Sequence, residues 1–179
     1  MKNLSKFIAL SIAIIAFSFV SANAQNLSNG SMERQVQKKI LSLPYYDVFD
    51  HIGYTVNGDT VTLFGRVRNA RNKKDAEANV EDIPGVDRVF NHIEILPVGR
   101  YDEQIRQDLY RKLSSTGGLS RYLWTTNPSV RLIVDRGNIS LEGFVANRGD
   151  YNAMNVIAHG VSGAFSITNN LVVDIGRAN

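Results

Sequence analysis

The stretch TVTLFGRVRN at residues 60–69 is echoed by NISLEGFVAN at residues 138–147. At an offset of 78 residues the two stretches share aliphatic positions, a central glycine and a terminal asparagine. Residues 52–96 align with the later copy at the same offset without any gap. An ungapped match of this length indicates an internal duplication, so we expect the chain to fold as two copies of one module.

A second echo precedes each of these stretches. MERQVQKKIL at 32–41 resembles YDEQIRQDLY at 101–110, at a smaller offset of 69 residues. The second copy therefore carries nine extra residues between this segment and its first strand. The sequence predicts a first module over residues 32–97 and a second module over residues 101–174.

Each module alternates between helical and strand signals. Val36 and Ile40 have the spacing of one face of a helix. Asn57-Gly58 separates two alternating segments, which is a strong hairpin signal because both residue types tolerate positive φ. Asn69 predicts the N-cap of a second helix, and a last alternating strand follows. Each module is thus predicted as α-β-β-α-β, an α+β fold in which a three-stranded mixed sheet carries two helices on one face.

Glycine and asparagine recur at matched positions in the two modules. Gly65 and Gly143 lie inside predicted strands, where glycine usually marks a bulge or the close approach of another backbone. We expect either a bulge or a helix that crosses close to the sheet. Asn91 and Asn169 interrupt the aliphatic alternation of the last strand, and we expect their side chains to hydrogen-bond a loop backbone.

These segments resemble the BON domain, a family named for bacterial osmotically inducible periplasmic and nodulation proteins. The matching segments are V-T-L-F-G-R-V (61–67), I-S-L-E-G-F-V (139–145), I-P-G-V (83–86) and V-F-N-H-I-E-I (89–95). The structural family positions are Gly65, Gly143, Asn91, Asn169, Gly85 and Gly163. The second copy departs from the pattern at Ser162, where a proline is usual. Tandem copies resemble the OsmY-like periplasmic group, which implies a non-enzymatic envelope protein associated with phospholipid membranes and stress resistance.

Residues 1–24 have the features of a secretory signal peptide. Lys2 and Lys6 flank the start of an apolar run, and Ala22-Asn23-Ala24 supplies a small-x-small cleavage pattern. The alternative is an uncleaved anchor helix, but the run is short for a bilayer span of about 20 residues. We therefore expect an exported, periplasmic protein in which residues 25–31 form a flexible mature N-terminus.

Composition excludes several classes of partner and site. The formal net charge is +3, and cleavage would remove Lys2 and Lys6 but no acid, which leaves +1. A chain of such low charge is not expected to bind nucleic acid. The sequence contains no cysteine, so disulfides and thiolate metal sites are excluded.

The sequence does not predict a catalytic or metal site. Residues 160–164, GVSGA, approach the G-x-S-x-G nucleophile motif, but the last glycine is missing and the segment joins a helix to a strand rather than a strand to a helix. His51, His92 and His159 do not align across the repeat, and none has a partner at the spacing of a helical metal site. We therefore expect a binding protein without catalytic residues, metal or cofactor.

The strongest candidate for binding is the insertion SSTGGLSRYLWTTNPS at residues 114–129. Tryptophan and tyrosine beside arginine suit a bilayer interface, and cations on the preceding helix could meet anionic head groups. The predicted lipid-binding residues are Arg106, Arg111, Lys112, Leu119, Arg121, Tyr122, Leu123 and Trp124. The alternative is that the aromatic residues fold back over the core or fill the contact between modules. The same two alternatives apply to residues 44–49 of the first module.

These expectations lead to one function and one rival. We expect a peripheral contact with membrane phospholipid that supports the cell envelope under osmotic or other stress. The rival is a protein-interaction or chaperone-like module whose partners are envelope proteins.

Overall fold

The structure, a computed structural model, describes residues 30–123 and 126–177. The predicted signal peptide and residues 25–29 lie outside the described residues. Gly30 and Ser31, expected at the end of the flexible N-terminus, already belong to a helix. Within the described residues we find no helix whose length and apolar character would let it span a bilayer.

The first module is a three-stranded sheet with two helices. Its elements are α1 (30–41), β1 (His51–Asn57), β2 (Thr60–Val67), α2 (Ala70–Glu81) and β3 (Arg88–Ile95). β1 pairs antiparallel with β2, and β2 pairs parallel with β3. The strand order is therefore β1-β2-β3 with β2 in the centre.

The second module repeats this arrangement. Its elements are α3 (Arg100–Ser115), a short 3₁₀ turn (Ser120–Tyr122), β4 (Val130–Asp135), β5 (Asn138–Val145), α4 (Arg148–His159) and β6 (Ser166–Val173). The strand order is β4-β5-β6, again with one antiparallel and one parallel pairing. β5, α4 and β6 lie 78 residues after β2, α2 and β3 and have the same lengths. The predicted fold class, two tandem α-β-β-α-β modules with mixed sheets, is confirmed.

Each sheet buries one face beneath its helices. In β2 the alternating residues Val61, Leu63 and Val67 are fully buried, and their counterparts in β5 are buried as well. Val36 of α1 and Val80 of α2 pack against them in the first core. Removing each such aliphatic side chain from water contributes about 1.5–3 kcal/mol to stability.

The matched strand glycines accommodate the neighbouring strand rather than a helix. Gly65 and Gly143 have φ of +119° and +108°. A Cβ atom at Gly65 would lie far inside van der Waals contact distance of the carbonyl oxygen of His51, and one at Gly143 would clash with the carbonyl oxygen of Ser129 in the same way. Of the two alternatives, a crossing helix is therefore not the one observed. The backbone that approaches is the start of β1 or the residue just before β4.

The matched asparagines connect the last strand of each module to a helix. The side chain of Asn91 donates to the carbonyl of Lys73 on α2 at 3.0 Å and accepts from the backbone N–H of Ile93 at 3.1 Å. Asn169 accepts from the N–H of Leu171 at 3.2 Å, and its amide donates to a side chain on α4. The expected hydrogen bond to backbone exists at Asn91, but its partner is a helix rather than a loop.

One loop of the first module is built into the second. Residues 44–50, here called the crossing loop, run along the outer edge of β4, where the N–H of Leu132 donates to the carbonyl of Val48 at 2.7 Å. Val48 and Phe49 belong to the hydrophobic core of the second module, and the Phe49 ring lies 6.0 Å from that of Tyr110. For these two residues the alternative of filling the contact between modules is the one observed.

Candidate functional site

The aromatic insertion at residues 114–129 folds back over the second core. Leu119, Tyr122 and Leu123 are at most 3% exposed and pack among the residues of that core. They cannot reach a membrane surface in this conformation, so their prediction as lipid-binding residues was wrong. The apolar side chains are buried because the long loop covers an open part of the core. Trp124, the remaining aromatic residue of the prediction, lies outside the described residues.

The hydroxyl group of Tyr122 has a structural role. It accepts a hydrogen bond from the N–H of Ala146 at 3.0 Å and donates to the carboxylate of Asp150 at 2.5 Å. The position equivalent to Ala146 in the first module is Arg68, whose N–H donates to the buried carboxylate of Asp50 at 2.6 Å. Burial raises the pKa of Asp50. The two modules therefore satisfy the same buried backbone donor with different side chains.

The cations predicted to meet lipid are already paired. Arg106 is buried rather than exposed, because its guanidinium donates to the carbonyl of Val134 at 2.6 Å beneath the sheet edge. Arg111 and Lys112 both lie within 4 Å of the carboxylate of Asp108. Lys112 also donates to a backbone carbonyl at 2.9 Å.

Arg121 is also paired, in its case with Asp150 and the hydroxyl of Tyr122. The charges of the Arg121 guanidinium and the Asp150 carboxylate cancel, so this pair adds no net charge to the surface. The predicted cluster is therefore not a concentrated positive patch.

The motifs considered for catalysis and metal binding lie in a turn of the second module and in a small cleft. Ser162 is exposed in the turn between α4 and β6. His51 and His92 line a small cleft together with Glu94 and Glu142. Among the described residues no group of three or more histidine and acidic side chains is arranged to hold a metal ion.

Among residues 30–123 and 126–177, the aromatic contact with the most exposed ring involves Tyr101 and Phe165 of the second module. Phe165 is 73% exposed, and its ring centroid lies 5.7 Å from that of Tyr101, which is 46% exposed. The hydroxyl of Tyr101 donates to the carbonyl of Gly163 at 2.5 Å, which fixes the ring in place. We call Tyr101, Phe165 and the exposed neighbours Arg100 and Arg136 the end patch.

The hairpin beneath the end patch is held firmly. The buried carboxylate of Asp102 accepts hydrogen bonds from the N–H groups of Arg136 and Gly137, both at 2.8 Å. The N–H of Phe165 donates to the carbonyl of Gly137, also at 2.8 Å. The start of α3, the β4–β5 hairpin and the turn before β6 therefore hold the aromatic pair together.

The first module lacks this patch. The position equivalent to Phe165 is Asp87, and the position equivalent to Tyr101 is Met32. The Met32 side chain lies next to Gly85, as the Tyr101 side chain lies next to Gly163. Phe165 is not among the residues predicted to bind lipid, because that prediction rested on the insertion at residues 114–129 and the helix before it. A difference between the matched copies could have identified Phe165, since the first module has an aspartate, Asp87, at the equivalent position.

Comparison with known proteins gives a family match and low structural similarity. The family model of the BON domain matches residues 28–97 and again residues 101–174. No curated protein matches the chain.

Two solved structures show limited similarity to the chain. The first is CdsD, described as a structural protein of the type III secretion system of Chlamydia trachomatis, with 14% identity and a TM-score of 0.30 over 80% of this chain and 92% of that chain. The second is the C-terminal domain of CdsD, with 14% identity and a TM-score of 0.27 over 79% of this chain and 96% of that chain.

Proposed function

Because the chain belongs to the BON domain family, whose members are associated with membrane phospholipid, we propose that this protein is an exported, non-enzymatic envelope protein that contacts phospholipid peripherally through the end patch. The observation that carries the proposal is the exposure of Phe165 beside Tyr101. The proposed role in supporting the envelope under osmotic or other stress rests on the family relationship.

The chemistry of the end patch suits the interfacial region of a bilayer. A large aromatic ring exposed to water gains free energy when it enters the boundary between head groups and acyl chains. Tyrosine prefers this region because its ring is apolar while its hydroxyl stays near polar groups. The two rings contact each other before any lipid is met, so binding would require little ordering of side chains.

The charges around the rings favour an anionic surface. Arg100 precedes Tyr101 on α3, and the Arg136 side chain is 78% exposed at the tip of the β4–β5 hairpin. The guanidinium of Arg136 lies 3.6 Å from the carboxylate of Asp135, which reduces its net effect. A cation near an anionic membrane contributes about 1 kcal/mol. The expected adhesion is therefore weak and reversible.

Flotation with lipid vesicles tests the proposal. The chain without residues 1–24 should float with vesicles of phosphatidylethanolamine and phosphatidylglycerol. Phe165→Asp places there the residue type that the first module has, and it should reduce binding by about tenfold or more, because it removes the ring and adds a charge repelled by the surface. The matched control is Phe90→Asp, since Phe90 is 45% exposed on the sheet of the first module. This control should bind as the unchanged protein does.

Two results would contradict the proposal. One is failure of the unchanged protein to float with either anionic or neutral vesicles. The other is an equal loss of binding in Phe165→Asp and Phe90→Asp. Capture of envelope proteins that depends on Phe165, without any vesicle binding, would instead favour the protein-interaction function.

A further inference from the structure

The two modules border a cleft of about 630 Å³, whose lining shares no residue with the end patch. One wall comes from α1 and β1, and the other comes from the residues before and within β4 and β5. The C-terminal segment that contains Arg177 closes one side. We call this space the intermodule cleft.

The charges that line the intermodule cleft are of one sign. Arg121, Arg131 and Arg177 all line it, and no aspartate or glutamate belongs to the lining among the described residues. Carboxylates do approach two of these arginines from outside the lining, since Arg121 pairs with Asp150 and Arg177 with Asp174. Arg121 and Arg177 are therefore partly neutralised from outside the lining. The lining itself contributes guanidinium donors and no carboxylate in the described part of the chain.

Arg131 is the most informative of the three arginines. Its side chain lies on the face of β4 opposite the second core, because Val130 and Leu132 on either side of it point into that core, and the residue is only 5% exposed. One Nη atom donates to the carbonyl of Asp47 at 2.8 Å, and the guanidinium stacks 4.2 Å from the ring centroid of Tyr46. Within residues 30–123 and 126–177 it forms no ion pair with a carboxylate. The carboxylates of Asp47 and Asp50 act on the guanidinium only from beyond ion-pair distance. An anion bound directly against it would therefore add compensation to a largely buried charge.

A polar side chain at the cleft lacks a hydrogen-bond partner in the described part of the chain. The hydroxyl oxygen of Ser129 is buried and has no hydrogen-bond partner among the described residues. Ser129 lines the cleft together with Arg131. Buried hydroxyl groups in folded proteins are normally satisfied, so this one is suited to meet a ligand oxygen.

The remaining lining determines what kind of anion would fit. Tyr46, Ile52, Tyr54 and Phe144 provide apolar and aromatic surface, and Arg177 stacks 5.0 Å from the ring centroid of Phe144. The volume exceeds that of a bare phosphate or carboxylate group and lies in the range of small-molecule sites. The geometry points to the intermodule cleft as a binding site for a phosphate-bearing ligand with an aromatic or acyl body, its phosphate held by Arg131, Arg177 and Ser129.

Calorimetric titration with naphthyl phosphate tests this site, and naphthol serves as the same ring without the phosphate. The full chain without residues 1–24 should bind one naphthyl phosphate and should bind naphthol at least about tenfold more weakly, since charge-assisted hydrogen bonds to arginine are lost. Arg177→Gln should weaken naphthyl phosphate binding by about tenfold, and Arg177→Lys should retain part of the affinity because it keeps the charge.

Arg111→Gln is the matched control for Arg177→Gln. The Arg111 side chain is 73% exposed and lies 3.7 Å from Asp108, three residues earlier in the chain. The Arg177 side chain is 69% exposed and lies 3.7 Å from Asp174, again three residues earlier. Arg111→Gln should bind naphthyl phosphate as the unchanged protein does. Equal binding of naphthyl phosphate and naphthol would overturn the proposal, as would an equal loss in both glutamine variants.

A vesicle experiment separates the two sources of such a phosphate. If the ligand is a soluble phosphate ester, Arg177→Gln should lose naphthyl phosphate binding and still float with phosphatidic acid vesicles. If the phosphate belongs to a lipid head group, naphthyl phosphate should compete with flotation and Arg177→Gln should float less. Phe165→Asp should leave naphthyl phosphate binding unchanged in both cases, so the cleft and the end patch are tested separately.

Discussion

At the scale of single residues, Gly65 and Gly143 fix the geometry on which both sheets depend. Each occupies the left-handed region of backbone space, and each lies directly beneath a carbonyl of the adjacent chain segment. Gly65→Ala and Gly143→Ala should each destabilise the protein by at least about 2 kcal/mol, because the methyl group meets both the strained φ and the carbonyl. Urea denaturation of each variant measures this loss.

Gly117→Ala provides the control for the glycine variants. Gly117 lies in the insertion, and a Cβ atom there would meet no heavy atom within 4 Å. Its φ lies outside the left-handed region, so the change should alter stability by no more than about 0.5 kcal/mol. A loss at Gly117 as large as that at Gly65 would contradict the account given for the strand glycines.

Residue chemistry predicted the cores better than it predicted the binding surface. The aliphatic alternation of β2 and β5 identified buried positions because period and burial are linked directly. Tyr122 and Leu123 could not be assigned in this way. An aromatic residue in a loop has the same chemistry whether it covers a core or faces lipid, and only the packing partner decides. Phe165 was missed for a different reason: no pattern in its own segment distinguishes it, and only the comparison with Asp87 of the first module does.

At the scale of elements, the crossing loop makes a contact that the repeat did not predict. The sequence indicated the helices, strands and hairpins of both modules through spacing, caps and turns. It did not indicate that residues 44–50 would run along β4, because their partners lie about 80 residues later and in the other copy. Local signals can predict an element, but an edge partner this distant depends on how the modules pack.

Phe49→Ala tests the structural role of the crossing loop. The variant should lower the free energy of unfolding by about 3 kcal/mol, because it leaves a cavity in a packed core. The loss of protection should appear in the second module, although Phe49 precedes β1 of the first. Hydrogen exchange at the amides of β4, including Leu132, measures this effect.

Tyr45→Ala serves as the control within the same loop. Tyr45 is half exposed and does not belong to either buried core. Its replacement should leave exchange in β4 unchanged. If Phe49→Ala accelerates exchange only in the strands of the first module, the crossing loop does not support the second module.

At the scale of the whole molecule, the contact between modules contains a histidine whose charge state should affect stability. Burial lowers the pKa of His51 below its ordinary value of 6.5, and Arg131 lowers it further while Glu142 raises it. Both of these charged groups belong to the second module. At pH values between the lowered pKa and 6.5, His51 is therefore neutral in the folded protein but protonated in the unfolded chain.

The sign of the resulting pH dependence is fixed by this difference. Stability should fall as pH decreases through that window, because protonation is favoured in the unfolded state. His51→Gln should lose less stability than the unchanged protein between about pH 7 and pH 5. Urea denaturation at several pH values measures the two slopes. His51→Asn should behave like His51→Gln, and parallel slopes for the unchanged protein and both variants would contradict the role of His51.

Protonation of Asp50 changes stability with pH in the opposite direction, so its effect must be separated from that of His51. Burial raises the pKa of Asp50 above its ordinary value of 3.8, so the folded state holds its proton over a range in which the unfolded chain does not. This contribution increases stability as pH falls towards the acid range. Comparing each histidine variant with the unchanged protein cancels it, since Asp50 is present in both.

Val48 and Phe49 belong to the first copy but pack in the core of the second. This arrangement limits how such a gene can change during evolution. Recombination could excise the first repeat or join the second to an unrelated domain. Either event would leave an apolar groove along β4 unfilled. Duplication produced two similar modules. Because the second core now includes side chains of the first module, the two modules are no longer interchangeable. The pair should therefore be inherited as an indivisible unit, even though each half still bears the outline of a free-standing domain.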